Sequence, residues 1–171
     1  RGMRPGELVH AEFAGVEQPP AAASEQAAPS EQRGKLEVVT RPRVARGGLR
    51  FVQGFSGGFA EASGRRKPMM LFFTASWCDH CHQMAHEAFN DPQVVRLADQ
   101  FVCVLVDADA EPDVCRQFGI SGYPTIQFLS PRGVALVRMV GKQPGQQVRV
   151  AMQTALARVA HRAESGKSPG R

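Results

Sequence analysis

The sequence predicts an α/β domain, a mixed central β-sheet flanked by helices on both faces and preceded by a disordered N-terminal arm. Three observations carry that prediction. Two continuous apolar runs of strand length, Met69 to Thr74 and Phe101 to Val106, suit strands buried on both faces. Segments of helical period lie between and around them. The last two strand-like segments, 125 to 129 and 134 to 140, are joined by the turn Ser130 to Gly133, short enough for an antiparallel hairpin. With 171 residues, 43% of them hydrophobic, the chain has material for one core of ordinary size.

The elements follow in chain order. Residues 16 to 32 are rich in Ala, Pro, Glu, Gln and Ser and carry almost no large apolar side chains, so burial cannot offset their chain entropy. The first 46 residues therefore read as a flexible arm, with a short strand at 35 to 40. The domain is assigned to 47–163, beginning at Gly47-Gly48, after which Leu49, Phe51, Val52, Phe55 and Phe59 supply apolar anchors. A helical turn is expected at 59 to 63, ending near Gly64, and Pro68 stops any helix. The central strand at 69 to 74 comes next. Helices are expected from Cys78 to about Phe89 and from Pro92 to Gln100, broken at Asn90-Asp91-Pro92. After the second buried strand, 111 to 118 reads as a short helix capped by Gly119. The last helix is expected from Gln146 to about Ala163, with Val148, Met152, Ala155, Leu156 and Val159 on one stripe. Residues 164–171 read as a frayed tail.

Composition excludes several classes. Four cysteines make neither a disulfide-dense miniprotein nor a zinc-ribbon array. The longest apolar runs fall far short of the roughly 18 residues a membrane-spanning helix needs. The net charge of +5 is concentrated where Arg33, Lys35, Arg41, Arg43, Arg46 and Arg50 face only Glu37. No aromatic residues interleave with those arginines, so the stretch reads as a solvated linker and nucleic acid is not an expected partner. The chain opens on Arg1 rather than Met, which predicts a signal peptide, membrane anchor or fusion segment upstream.

The chemistry lies in Trp77-Cys78-Asp79-His80-Cys81, which follows the first buried strand and opens a helix. Unpaired backbone N–H groups at that helix start favour a thiolate on Cys78. Two intervening residues bring the second sulfur within disulfide reach but deeper in the first turn. Cys78 is thus the expected nucleophile and Cys81 the resolving thiol. His80 favours the thiolate, whereas the Asp79 carboxylate opposes it. Cys103 and Cys115 read as buried thiols that pack as small hydrophobes, with a redox role as the alternative. His86 and Glu87 read as surface residues.

Together with Gly122-Tyr123-Pro124-Thr125 before a strand and Val140-Gly141 ending the next, the Trp77-Cys78-x-x-Cys81 motif resembles the thioredoxin superfamily, from about Leu49 to Ala163. The stretches Phe89-Asn90-Asp91-Pro92-x-Val94 and Val106-Asp107-Ala108-Asp109 are similar to its extracytoplasmic thiol-reductase branch. The resemblance implies a thioredoxin fold and a cis peptide before Pro124, with that loop packed against the cysteine pair. It also implies that Trp77 shields the disulfide. Trp77, Tyr123, Pro124, Thr125 and Gly141 would line the site of an extended substrate peptide. One departure matters. The position six before the first cysteine, where thioredoxins proper carry a buried Asp, is Phe72, and the usual basic residue on the following strand is replaced by Cys103.

The implied function is thiol-disulfide exchange with protein substrates, in a monomer served by an upstream thiol reductant or oxidant. No cofactor beyond the Cys78-Cys81 pair and no metal is expected. Three alternatives stand beside it: a peptide-binding module in which the thiols are incidental, haem attachment through Cys78-x-x-Cys81-His82, and a zinc site drawing on the same cysteines with His80, His82 or His86. The arm ahead of a lone redox domain favours an extracytoplasmic, periplasmic or membrane-anchored address, with the cytoplasm as alternative.

Overall fold

The computed structural model describes residues 43–165. The strand anticipated at 35–40 and most of the arm and tail lie outside those residues. In chain order the domain runs β1 (Arg43–Arg46), β2 (Leu49–Gln53), α1 (Phe55–Arg65), β3 (Met69–Thr74), α2 (Asp79–Glu87), a single 3-10 turn (Ala88–Asn90), α3 (Pro92–Ala98), β4 (Val102–Asp107), α4 (Pro112–Gln117), β5 (Thr125–Leu129), β6 (Ala135–Val140) and α5 (Gly145–Ser165). It is a thioredoxin fold.

The six strands form one sheet in the order β1-β2-β4-β3-β5-β6. β3 and β4 pair in parallel at its centre, β2 runs parallel to β4, and β5 and β6 are antiparallel to their neighbours. The alternation of side chains along a strand then divides the core in two. Met70 and Phe72 of β3 and Cys103 and Leu105 of β4 face a layer built by α2, α3 and α5, through Met84, Val94, Val148 and Met152. Met69, Leu71, Phe73, Val102, Val104 and Val106 face the opposite layer, where Ala62 of α1 and Cys115 of α4 pack. Burial on both faces is what the continuous apolar runs required.

Three expectations are corrected. The boundary at residue 46 falls inside a hairpin: Arg43–Arg46 pairs antiparallel with β2 through the two-residue turn Gly47-Gly48. Its arginines sit on an edge strand, where charge guards against wrong pairing. The helical turn expected at 59 to 63 is a full helix, Phe55–Arg65. Gly58 lowers its propensity, but a Cβ there would come within 2.2 Å of the Val104 side chain, so close packing on β4 demands the glycine. At the far end, α5 continues through Ser165, two residues beyond the expected limit.

Loop chemistry fixes the helix starts. Asp91 Oδ1 accepts from the N–H groups of Gln93 (2.7 Å) and Val94 (3.2 Å), so the sequence break at Asn90-Asp91-Pro92 is an N-cap with proline in the first turn. At α1 the Phe55 N–H donates to both carboxylate oxygens of Glu111, from the loop ahead of α4.

Candidate active site

β3 ends at Thr74, and the chain turns through Ala75, Ser76 and Trp77 into α2 with Cys78 as N-cap. The Cys78 backbone is extended, and its sulfur accepts the Cys81 N–H at 3.2 Å. Cys78 and Cys81 form a disulfide with 5.2 Å between their Cα atoms. Cys81 is buried to 1% exposure and Cys78 retains 6%, so Cys78 is the more exposed residue of the pair. Donor groups at a helix start stabilise charge on a sulfur placed there once the bond opens.

Strand register brings the other motif residues to the same end of the sheet. β3 pairs Phe73 with Thr125, and β6 pairs Val140 with Thr125. Pro124, one residue before Thr125, is thereby set beside both the loop leaving β3 and Gly141. The Tyr123–Pro124 peptide is cis, and the Gly141 N–H donates to the Pro124 carbonyl at 2.8 Å. Gly141 has φ +81°, with nothing within 4 Å of where a Cβ would be, so the space beside the loop is open. Thr125 differs from its expected place in a substrate surface. It is buried and its hydroxyl donates to the Gly122 carbonyl at 2.7 Å, holding the loop from within.

Trp77 lies on the rim. It is 66% exposed, so its ring covers the edge of the site rather than filling a core. Its indole N–H donates to Asp109 Oδ1 at 3.1 Å, and its ring meets Tyr123 edge-on at 5.7 Å. The other Asp109 oxygen accepts from the Ser76 N–H (3.0 Å) and the Ser76 hydroxyl (2.7 Å). The carboxyl of Asp109 is held below its ordinary 3.8, first by the Ser76 backbone bond, then by the Ser76 hydroxyl, with the Trp77 indole adding and desolvation opposing. Tyr123 moves the other way, pushed up to about 12 by burial first and then by its hydrogen bond to Cys115. Its phenol therefore stays neutral throughout the physiological range.

The floor is wholly different. Phe72 meets Phe89 edge-on at 4.9 Å and lies 5.9 Å from Phe51, and all three belong to the apolar layer that holds Cys78, Cys81 and Met84. Among the described residues no acid stands there in place of the missing Asp. Cys103 and Cys115 are both buried, Cys103 on the same face as Phe72 and Cys115 on the opposite one.

Asp79, His80, His82, His86 and Glu87 are exposed along α2. Glu87 takes part in a clasp the sequence did not disclose: Lys142, just after Gly141, lies 2.9 Å from Glu87 Oε2 and donates to Gln83 Oε1 at 3.2 Å. Asp109 and Lys142 were both missed as site residues. Asp109 had one signal, its place in the Val106 to Asp109 stretch after a buried strand; Lys142 had none.

A CxxC disulfide capping a helix, opposed across neighbouring strands by a cis-proline loop, defines a thioredoxin-type domain. Residues 43–165 have the thioredoxin fold, and the sequence model of the family described as thioredoxin-like matches residues 50–131. A probable protein disulfide-isomerase A6 from Medicago sativa is 37% identical over 75 residues, covering 44% of this chain and 20% of that protein. Rabbit protein disulfide-isomerase is 35% identical over 74 residues, 43% of this chain and 14% of that protein. The chain thus spans a fifth or less of the length of these relatives. Among solved structures, a thioredoxin from Thermus thermophilus superposes with TM-score 0.60 at 22% identity, covering 70% of this chain and 96% of the other. A DsbH oxidoreductase gives 0.52 at 20% identity, covering 73% and 95%. Both share the fold.

Proposed function

We propose that this domain is a thiol-disulfide oxidoreductase acting on protein substrates through Cys78 and Cys81, outside the cytoplasm and tethered or exported by a segment upstream. The observation that carries the reading is the Cys78–Cys81 disulfide at the start of α2, beside an open cis-proline loop. The protein disulfide-isomerase relatives, at 35 to 37% identity across the matched segment, support it. The address rests on the Ala/Pro/Gln-rich stretch ahead of the domain and on the fact that protein disulfides persist in oxidising compartments.

In the reducing direction the Cys78 thiolate attacks one sulfur of a substrate disulfide, forming a mixed disulfide and expelling one substrate thiolate. Cys81 loses its proton and attacks the Cys78 sulfur, which releases the second substrate thiolate and closes the Cys78–Cys81 bond. The two electrons pass to the substrate, and each expelled thiolate ends as a thiol. With Phe72 beneath the pair, the Cys81 proton leaves through water rather than through a buried carboxylate. The oxidising direction is the reverse. The peptide backbone of a substrate fits the open loop edge at Tyr123, Pro124 and Gly141, flanked by the exposed Trp77 ring and the Val140 side chain.

The test is covalent capture. Cys81→Ser should accumulate a mixed disulfide with a reducible protein substrate, and Cys78→Ser should abolish exchange. Retained exchange in Cys78→Ser, or equal substrate retention when both cysteines are alanine, would leave a peptide-binding module instead. Direction is read from the only tryptophan, by Trp77 fluorescence in graded glutathione buffers. A midpoint near about −270 mV marks a reductase, and one at or above about −180 mV an oxidase or isomerase.

A further inference from the structure

His82 and His86 of α2 are given no part in this exchange chemistry. At about 100° per residue, His82 and His86 stand within about 40° of one another and one turn apart on the helix. His80 projects from a different side. His82 and His86 are both exposed, and among the described residues neither ring has a hydrogen bond or ion pair. Both line one shallow, open groove of about 470 Å³, bordered by Ala45, Arg46 and Gly47 of the β1–β2 hairpin. The hairpin turn presses on the helix at Ala85 and Phe89: a Cβ on Gly47 would lie 2.2 Å from the Ala85 carbonyl oxygen and 3.1 Å from Phe89. The groove is therefore held by close packing of turn on helix.

We propose that His82 and His86 form a two-imidazole chelate for a borderline divalent transition ion such as Cu²⁺ or Zn²⁺, separate from the disulfide. Two histidines at i and i+4 on one helical face are a known pattern for holding such an ion, and neutral imidazole suits Zn and Cu over Mg or Ca. Water completes the coordination, since no group of three or more His, Cys, Asp or Glu among the described residues is placed to hold a metal. Arg46 lines the same groove and opposes a cation, though its charge is exposed and screened. That opposition separates a cation site from an anion site built of the same three side chains.

The experiment titrates the full chain, with its disulfide closed so that neither active-site sulfur is a ligand, with ZnCl₂ and CuCl₂ by calorimetry. One equivalent should bind, Cu²⁺ more tightly than Zn²⁺, with MgCl₂ silent. His82→Ala and His86→Ala should each weaken binding about tenfold or more, since removing a ligand costs at least as much as removing its supporting partner. His80→Ala and His10→Ala should leave it within about twofold, and Arg46→Ala should tighten it about threefold. Absent saturable binding, loss on His80→Ala rather than on the pair, or weaker binding in Arg46→Ala would each overturn the assignment.

Discussion

The two sides of the Cys78–Cys81 disulfide are built by opposite means. Beneath it, Phe51, Phe72, Phe89 and Met84 form an apolar floor of packed side chains. Around it, the rim is fastened by polar bonds from distant segments: Asp109 to Ser76 and Trp77, and Lys142 to Glu87 and Gln83. Floor residues are nearly fully buried and contribute through apolar area and packing. Rim residues are largely exposed, where a polar contact adds little to global stability and mainly sets where a loop stands. Stability should therefore reside below the disulfide and positioning above it, and the two should come apart under mutation.

The largest expected effect is on the floor. Phe72→Ala removes a ring that is 1% exposed and touches two other aromatic rings, so it should lower unfolding stability by about 3–5 kcal/mol. Denaturant midpoints measure this, and the Trp77–Asp109 bond should survive in the folded fraction, with unchanged Trp77 emission. A loss below about 1 kcal/mol, or a shifted Trp77 spectrum in folded protein, would show that floor and rim are one unit.

How much of this was legible in the sequence follows from the same division. The floor and the central strands were readable because continuous apolar runs such as Met69 to Phe73 are a local signal. The Cys78–Cys81 pair and the Pro124 loop were readable because their residue types stand in a rare combination. β1 was lost because Arg43, Arg46 and Arg50 look like linker, although Gly47-Gly48 between Val44 and Phe51 is a hairpin signal. The length of α1 was lost because Gly58 lowers local propensity for a reason, the approach of Val104, that exists only after folding. Asp109 and Lys142 act on residues more than 30 positions away, and no periodicity announces such a partner. Thr125 was placed on the substrate surface from its motif, whereas register turns it inward.

On the rim, Asp109→Asn tests positioning alone. The folded carboxyl titrates below its ordinary 3.8, so its contribution is fully present above about pH 4 and is lost as pH falls through the depressed value. Trp77 fluorescence of the native protein should therefore change on acidification below about pH 4, whereas Asp109→Asn should show an altered spectrum already at pH 7 and no such acid step. Activity should fall through substrate affinity more than through turnover, because the cysteines are untouched. An identical acid step in both proteins would place the titrating group elsewhere.

The smallest effect belongs to Lys142. Its ammonium lies 2.9 Å from Glu87, but the two side chains are 33% and 59% exposed, and exposed pairs of this kind contribute about 0.2–1 kcal/mol. Lys142→Ala should shift the denaturant midpoint by no more than that, and 0.5 M salt should erase most of the difference, since the Debye length then falls to a few ångströms. What it should alter is the approach to the loop edge, because Lys142 ties the segment after Gly141 to α2. With a protein disulfide as substrate, KM should rise by a small factor while kcat holds. The same variant assayed with a small disulfide, which does not span the loop edge, should match the native domain. If the small substrate is affected equally, the clasp acts on the cysteine pair itself, and the separation between a stabilising floor and a positioning rim fails at that point.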